Sequence, residues 1–336
     1  MTLAQPRAAD RAGAARADRV VLRFLAAPDV ADVGGSTVSA GHVLEWIDRA
    51  GYACAARWSG AYCVTAYVGN VHFARPIAIG ELVEVTARVI STGTTSMQVL
   101  VAVRSADPRR GAYRSATHCL LVFVAVDDAR RPQPVPPWSP STIAALDLAD
   151  RAARRLPVRA RIREAMRAQV YSDAGGTPRL VLRFLASPRD VNWGGSVHGG
   201  TVMRWIDETA QACATGWTGR PTVAVYAGGI HFRRPIAIGE LVEVDARVIH
   251  TSTRSLHVAV HVRAAPPTGG EPTSTTECMT VAVVRGPDGR AARVEPIVLR
   301  TDEDRRLDAH ARQLVALRAE LDAIGAEDLE PDPTEG

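Results

Sequence analysis

Along the chain, positions at steps of three and four (Val43, Ile47, Ala50, Cys54 and Trp58, then Val202, Ile206, Thr209, Cys213 and Trp217) keep a mainly apolar face, which predicts two amphipathic helices. After each helix the period changes to two. Val83, Val85, Ala87 and Val89 alternate with Glu84, Thr86 and Arg88, and Met97, Val99, Val101 and Val103 alternate with Gln98 and Arg104. This is the pattern of pleated strands, and matching strands follow the second helix. An earlier strand, Val20 to Ala26 or Leu180 to Ala186, precedes each helix across a loop rich in Gly, Asp, Asn and Pro. A more continuously apolar strand, Thr117 to Val126 or Thr276 to Val284, closes each set.

The two sets are copies. The run from Arg75 to Val85 recurs letter for letter from Arg234 to Val244, and Trp46-Ile47-Asp48 recurs as Trp205-Ile206-Asp207, both 159 residues on. Phe24 with Phe184, His72 with His231 and Cys119 with Cys278 belong to the same correspondence. The repeat is too long for a solenoid, whose units run to roughly 20 to 50 residues. It is a whole domain present twice, and the chain is expected to behave as a covalent dimer whose interface sites exist in two versions.

One long helix among about five antiparallel strands buries both only if the sheet wraps around it, so the expected class is α+β with two tandem hotdog domains. Pro76 and Gly80, and their repeats Pro235 and Gly239, turn the chain between consecutive strands. The expected divisions are a disordered tail over 1–19, the first domain over 20–130, a Pro-rich and then helical linker over 131–178, the second domain over 179–300, and a C-terminal helix with an acidic tail over 301–336. The two central helices are expected side by side across a pseudo-two-fold axis, with the sheets joined edge to edge to hide their edge strands.

Composition narrows the function. The formal net charge is only +4 and all 40 basic residues are arginine, so no basic patch suggests a nucleic-acid partner. The Ala/Arg-rich start imitates a transit peptide, but Asp10 and Asp18 favour a disordered tail. Five cysteines without Cys-x-x-Cys spacing fit neither a zinc ribbon nor a disulfide framework and read as core residues of a reducing, cytoplasmic compartment. No stretch is long and apolar enough to span a membrane. His257 and His261 share a strand face without a third ligand and are expected to face solvent, His72 and His231 to be structural, and no metal or bound cofactor is implied.

Candidate chemistry gathers around the helix starts. Gly199 and Gly200 open the second helix, leaving backbone N–H groups at its positive end where an oxyanion could be held. Asp207 shares its helix face with Met203, Ala210 and Ala214, and Asp48 shares its own with Leu44, Gly51 and Ala55. A carboxylate in such surroundings is driven to a raised pKa unless it is paired, which prepares a general base; the plainer alternative is a buried acid bonded to a neighbouring strand.

Asn192, then His198-Gly199-Gly200, then Asp207, with the repeated run behind them, resemble the acyl-CoA hydrolases of the hotdog fold, particularly the tandem type. The resemblance covers both copies. It implies a composite site for thioester hydrolysis in which the loop Asn of one domain meets the helix acid of the other. It also implies that Thr251 to Ser255, with Arg254, approach the CoA phosphates and that double-hotdog chains assemble as a trimer. On this reading Asn192 orients water or substrate, Gly199 and Gly200 polarise the carbonyl, His198 lies against the substrate, and Asp48 is base or nucleophile.

The carry-over is uneven. The first copy has Asp32 at the Asn position, an extra residue near Thr37, and Ser39-Ala40-Gly41 for His-Gly-Gly. If loops pair with opposite helices, the competent site joins Asn192 to Asp48, while Asp32 is expected to face Asp207 as a second carboxylate in a weak or silent site. Two other functions stay open: hydration or dehydration of acyl thioesters, which would use His198, and a non-catalytic acyl-CoA sensor.

Overall fold

The computed structural model describes residues 17–286 and 289–324. The acidic tail, and all but the last three residues of the expected N-terminal tail, lie outside them. In the first copy, β1 (Arg19–Leu25) leads to α1 (Ala40–Ser59), β2 (Tyr62–Val68), the short β3 (Val71–His72), β4 (Leu82–Thr92), β5 (Ser96–Ala106) and β6 (Arg114–Val126). A long helix, α2 (Ile143–Arg167), crosses to the second copy: β7 (Arg179–Leu185), α3 (Gly199–Thr218), β8 (Thr222–Phe232), β9 (Leu241–Thr251), β10 (Leu256–Ala265) and β11 (Thr273–Val284). The helix α4 (Asp302–Ala323) follows.

Each central helix starts and stops for local reasons. Ser39 Oγ accepts the amide of His42 at the start of α1, and His198 is the N-cap of α3. Gly60 and Gly219 end them in the left-handed conformation, which costs glycine little. One face of α1 buries Leu44, Ile47, Ala50, Cys54 and Ala55 against Val83, Val85, Val99 and Val101. Fully burying each of the larger side chains is worth about 1.5 to 3 kcal/mol.

The strands form one 11-stranded sheet in the order β1-β4-β5-β6-β2-β8-β11-β10-β9-β7, with β3 also paired to β8. The copies meet where Tyr67 pairs with His231 and Val68 with Ile230, and again where Val71 pairs with Ala227 and His72 with Tyr226. The two pairings exchange under the repeat offset, as a two-fold axis requires. Both edges expected to join do so, and α1 packs along α3. That contact is close: a Cβ on Gly200 would lie 2.9 Å from Glu45 Cα, and one on Gly41 3.0 Å from Arg204 Cα. Gly200 is therefore required by helix packing as well as by any chemistry of its amide.

The segment expected to be a linker does more than connect. Leu148 and Ala152 of α2 pack on Ile90, Leu100 and Leu120 of the first copy's outer sheet face. Farther along, Val158, Ile162 and Met166 join α4 over Ile249, Ala259 and Met279 of the second. This cover corrects the expectation for His257 and His261. His257 is buried beside His250, whose Nδ1 lies 2.6 Å from Asp308 of α4, and His261 lies under Tyr171. Alternation along β10 showed which residues share a face, but not that a distant helix would cover it.

Candidate active site

The start of α3 abuts the middle of α1, so the second copy's loop meets the first copy's acid. Asp48 is 1% exposed. Its Oδ2 accepts the Gly200 amide at 2.7 Å and lies 2.7 Å from His198 Nδ1, while its Oδ1 accepts the Thr65 hydroxyl at 2.6 Å. His198 Nδ1 is also 3.2 Å from the Gly200 amide. It cannot both donate to Asp48 and accept from Gly200, and the shorter distance with the opposite charge favours donation to the carboxylate.

These contacts settle the electrostatics of Asp48. Burial pushes its pKa up, but the His198 charge and the hydrogen bonds of His198, Thr65 and Gly200 outweigh it and hold the carboxyl below its ordinary value. Burial likewise pulls His198 down, and Asp48 more than restores it, leaving the imidazole raised. Asp48 is thus the paired case, in which the acid is not raised.

A cavity of about 210 Å³ opens beside this cluster. Asp48, Tyr52, Thr65, Asn192, His198 and Gly199 are on its wall. Gly199 N–H has no partner among the described residues, whereas Gly200 N–H is taken by Asp48. Asn192 Oδ1 accepts the amides of Gly194 (2.9 Å) and Ser196 (3.1 Å), so its carbonyl shapes its own loop; its Nδ2 is 3.4 Å from Val197 O. Trp193, 86% exposed, stands at the rim.

The pseudo-equivalent cavity, about 250 Å³, is lined by Asp32, Ser39, Ala40, Gln211 and Ala224. Asp207, 3% exposed, accepts the Gly41 amide at 2.8 Å and Gln211 Nε2 at 2.7 Å. Burial pushes its pKa up to about 6, since these bonds do not compensate and the nearby Glu208 adds to the shift. The expected pairing of Asp32 with Asp207 is not what raises it. Asp32 is engaged within its own loop, accepting Thr37 Oγ1 at 2.5 Å and the Gly34 amide at 3.0 Å, because the extra residue supplies a hydroxyl there.

Thr251, Arg254 and Ser255 are not brought to either cavity. They form an exposed turn between β9 and β10, closed by Ser252 and Ser255 hydroxyls 2.7 Å apart, and Thr251 borders a separate polar cleft with Arg293 and Arg312. Thr65, Tyr52 and Arg130 were missed by sequence reasoning. A signal existed: at the repeat offset they face Ala224, Gln211 and Gly289, so the copies differ where the cavities differ. Among the described residues, no group of three or more His, Cys, Asp or Glu could hold a metal.

The family model of the Thioesterase superfamily matches this sequence twice, over residues 35–112 and 194–271. Each copy of the repeat thus carries one match to the thioesterase superfamily. It is 28% identical over 285 residues to the cytosolic acyl coenzyme A thioester hydrolase of Mus musculus, spanning 77% of this chain and 73% of that protein. It is 27% identical over 241 residues to acyl-coenzyme A thioesterase 11 of the same species, spanning 68% of this chain but only 40% of that protein. Among solved structures, a putative oleoyl thioesterase from Lactobacillus plantarum covers 80% of this chain and 98% of its own, at 10% identity and a TM-score of 0.56, a likeness of fold alone. An acyl-CoA hydrolase from Staphylococcus aureus, solved with butyryl coenzyme A, is 28% identical over 45% of this chain and 91% of its own, with a TM-score of 0.42. Both halves of the chain are hotdogs, as the repeat implied.

Proposed function

We propose that this chain hydrolyses acyl-CoA thioesters to free acid and CoA at the cavity between α1 and the 192–200 loop. The observation that carries the reading is Asp48, a buried carboxylate of one domain kept ionised by His198 and Gly200 of the other and by Thr65, on the wall of a cavity beside an unpartnered helix-start amide. The names of the mouse relatives support the substrate class.

In the reaction, the thioester carbonyl oxygen takes the Gly199 N–H, where the positive end of α3 stabilises developing negative charge. Asp48 acts as general base, taking a proton from water as its oxygen adds to the carbonyl carbon; the tetrahedral intermediate then expels the CoA sulfur, which leaves with a proton. The alternative, addition of Asp48 to form an anhydride, uses the same contacts. Gly200 positions the carboxylate rather than the substrate. Asn192 shapes the loop from the cavity wall. The pseudo-equivalent cavity has Ser39, whose Oγ is 2.8 Å from His42 Nδ1, and Ala224 at the positions of His198 and Thr65, does not have Asp207 on its wall, and is catalytically weak.

We propose also that the chains form a trimer in the cytoplasm. The named cytosolic relative and five buried thiols support the compartment, and exposed Leu25, Leu185 and Val33 support assembly. In such a trimer the Arg254 turn would serve the phosphates of CoA bound to a neighbouring chain. Release of free thiol from a panel of acyl-CoAs tests the activity, since neither hydration nor mere binding liberates thiol.

A further inference from the structure

Arg130 sits at φ 61, the one non-glycine residue at positive φ among the described residues. It closes the turn after β6, in which Arg130 N donates to Asp127 O (2.8 Å) and Asp127 N to Arg131 O (2.9 Å). The second copy makes the same turn: Gly289 N donates to Gly286 O (3.0 Å) and Gly286 N to Arg290 O (2.7 Å). There the left-handed position is held by Gly289, at φ 76, the residue that suits it. The first copy has placed a bulky side chain where the backbone disfavours one.

The guanidinium accounts for it. Arg130 reaches out of its own domain to the loop of the other, donating from Nη1 to Ser196 Oγ at 2.7 Å and from Nη2 to Gly194 O. These are the residues whose amides Asn192 Oδ1 holds from the opposite side. The loop is thus gripped by Asn192 within and by Arg130 across the domain boundary, two residues before His198 and the α3 start. The equivalent loop of the first copy is held internally by Thr37 on Asp32, and no arginine stands at the matching turn position.

We propose that Arg130 is a positioning residue, a cross-domain latch that fixes the 192–200 loop so that His198, Gly199 and Gly200 meet Asp48 in register. The inference rests on the catalytic reading above. It explains why the backbone disfavour is retained in one copy only: the latch serves the cavity with the complete cluster. Arg130 also lines the cavity, but both of its bonds to the loop are to Ser196 Oγ and Gly194 O. A misplacement of the loop by about 1 Å is enough to cost on the order of a hundredfold in rate, so a residue acting through the loop can control kcat.

The test compares wild type with Arg130→Gly, which restores the second copy's residue and relieves the backbone. Thiol release is followed from an acyl-CoA and from the same acyl group on N-acetylcysteamine, which has no nucleotide, and amide exchange is measured over 192–200. The latch predicts that kcat falls about tenfold or more on both thioesters and that loop amides exchange faster, while thermal stability is not lowered. Arg130→Lys, with charge but no fork, does not restore kcat. Ser196→Ala gives part of the loss, and combining it with Arg130→Gly adds nothing further. A loss confined to KM for the CoA thioester would make Arg130 a phosphate contact and overturn the proposal, as would unchanged kcat with unchanged exchange. If wild type releases no thiol from any thioester, the proposed function fails, and loop exchange alone decides the latch.

Discussion

Asp48 Oδ2 stands 2.7 Å from the backbone nitrogen of Gly200, a residue 152 positions farther along the chain and in the other domain. The pseudo-equivalent contact, Asp207 Oδ2 to the Gly41 amide, is 2.8 Å. One contact is thus made twice, in two environments: Asp48 also has His198 and Thr65, while Asp207 has Gln211.

The stability of the fold should register Asp207. Its folded pKa of about 6 lies above its ordinary 3.8, so its contribution is fully present below the lower value and lost as pH rises through about 6. Asp207→Asn removes the cost of burying the charge. The variant's stability relative to wild type should therefore rise between pH 5 and pH 8 by about 1.4 kcal/mol, roughly half of the full linkage of about 3 kcal/mol. Urea unfolding of both proteins at the two pH values checks this; a constant difference would mean Asp207 is already ionised at pH 5 or has a partner in the fold.

The acid limb of activity should respond to Asp48's partners. With its pKa held below the ordinary value, wild type keeps its base ionised well into the acid range. His198→Gln removes the cation and Thr65→Ala a hydroxyl, and each should move the acid limb of kcat/KM to higher pH. Thr65→Ala should also lower kcat about ten- to a hundredfold, the equivalent of one hydrogen bond to a charged group. pH–rate profiles of the variants decide it, and limbs that coincide with wild type would show that neither group tunes the base.

Arg254 offers a test of assembly as well as of binding. The turn lines neither of the two helix-start cavities of its own chain, so Arg254→Ala should raise KM by a factor equivalent to about 1 to 2 kcal/mol, with kcat kept, only if a neighbouring chain presents the turn to CoA. Light scattering should then give three chains per particle. An unchanged KM would leave Arg254 an exposed hairpin arginine.

Much of this was legible in the sequence, and for physical reasons. Strict alternation along β4 and β5 and the 3.6-residue period of α1 and α3 reflect local geometry that a single chain prints directly. The fixed offset between copies carried the domain pairing, and the difference between Asn192-His198-Gly199 and Asp32-Ser39-Ala40 carried the asymmetry of the cavities. Burial by remote elements was not legible. Nothing near His257 announces α4, and nothing near Asp48 announces that Thr65, from the next strand, would turn its hydroxyl onto Oδ1. Asp32 was misplaced for the same reason: its partner Thr37 lies only five residues away, but only the folded loop shows that the bond forms.

The central claim is that the working site joins the first copy's acid to the second copy's loop. Thiol release by Asp48→Asn and Asp207→Asn, with thermal stability measured alongside, tests it most directly. The account predicts that Asp48→Asn loses on the order of a hundredfold or more of kcat in a folded protein, while Asp207→Asn stays within about threefold of wild type. A folded Asp48→Asn that turns over normally beside an inactive Asp207→Asn would contradict it and place the chemistry in the other cavity.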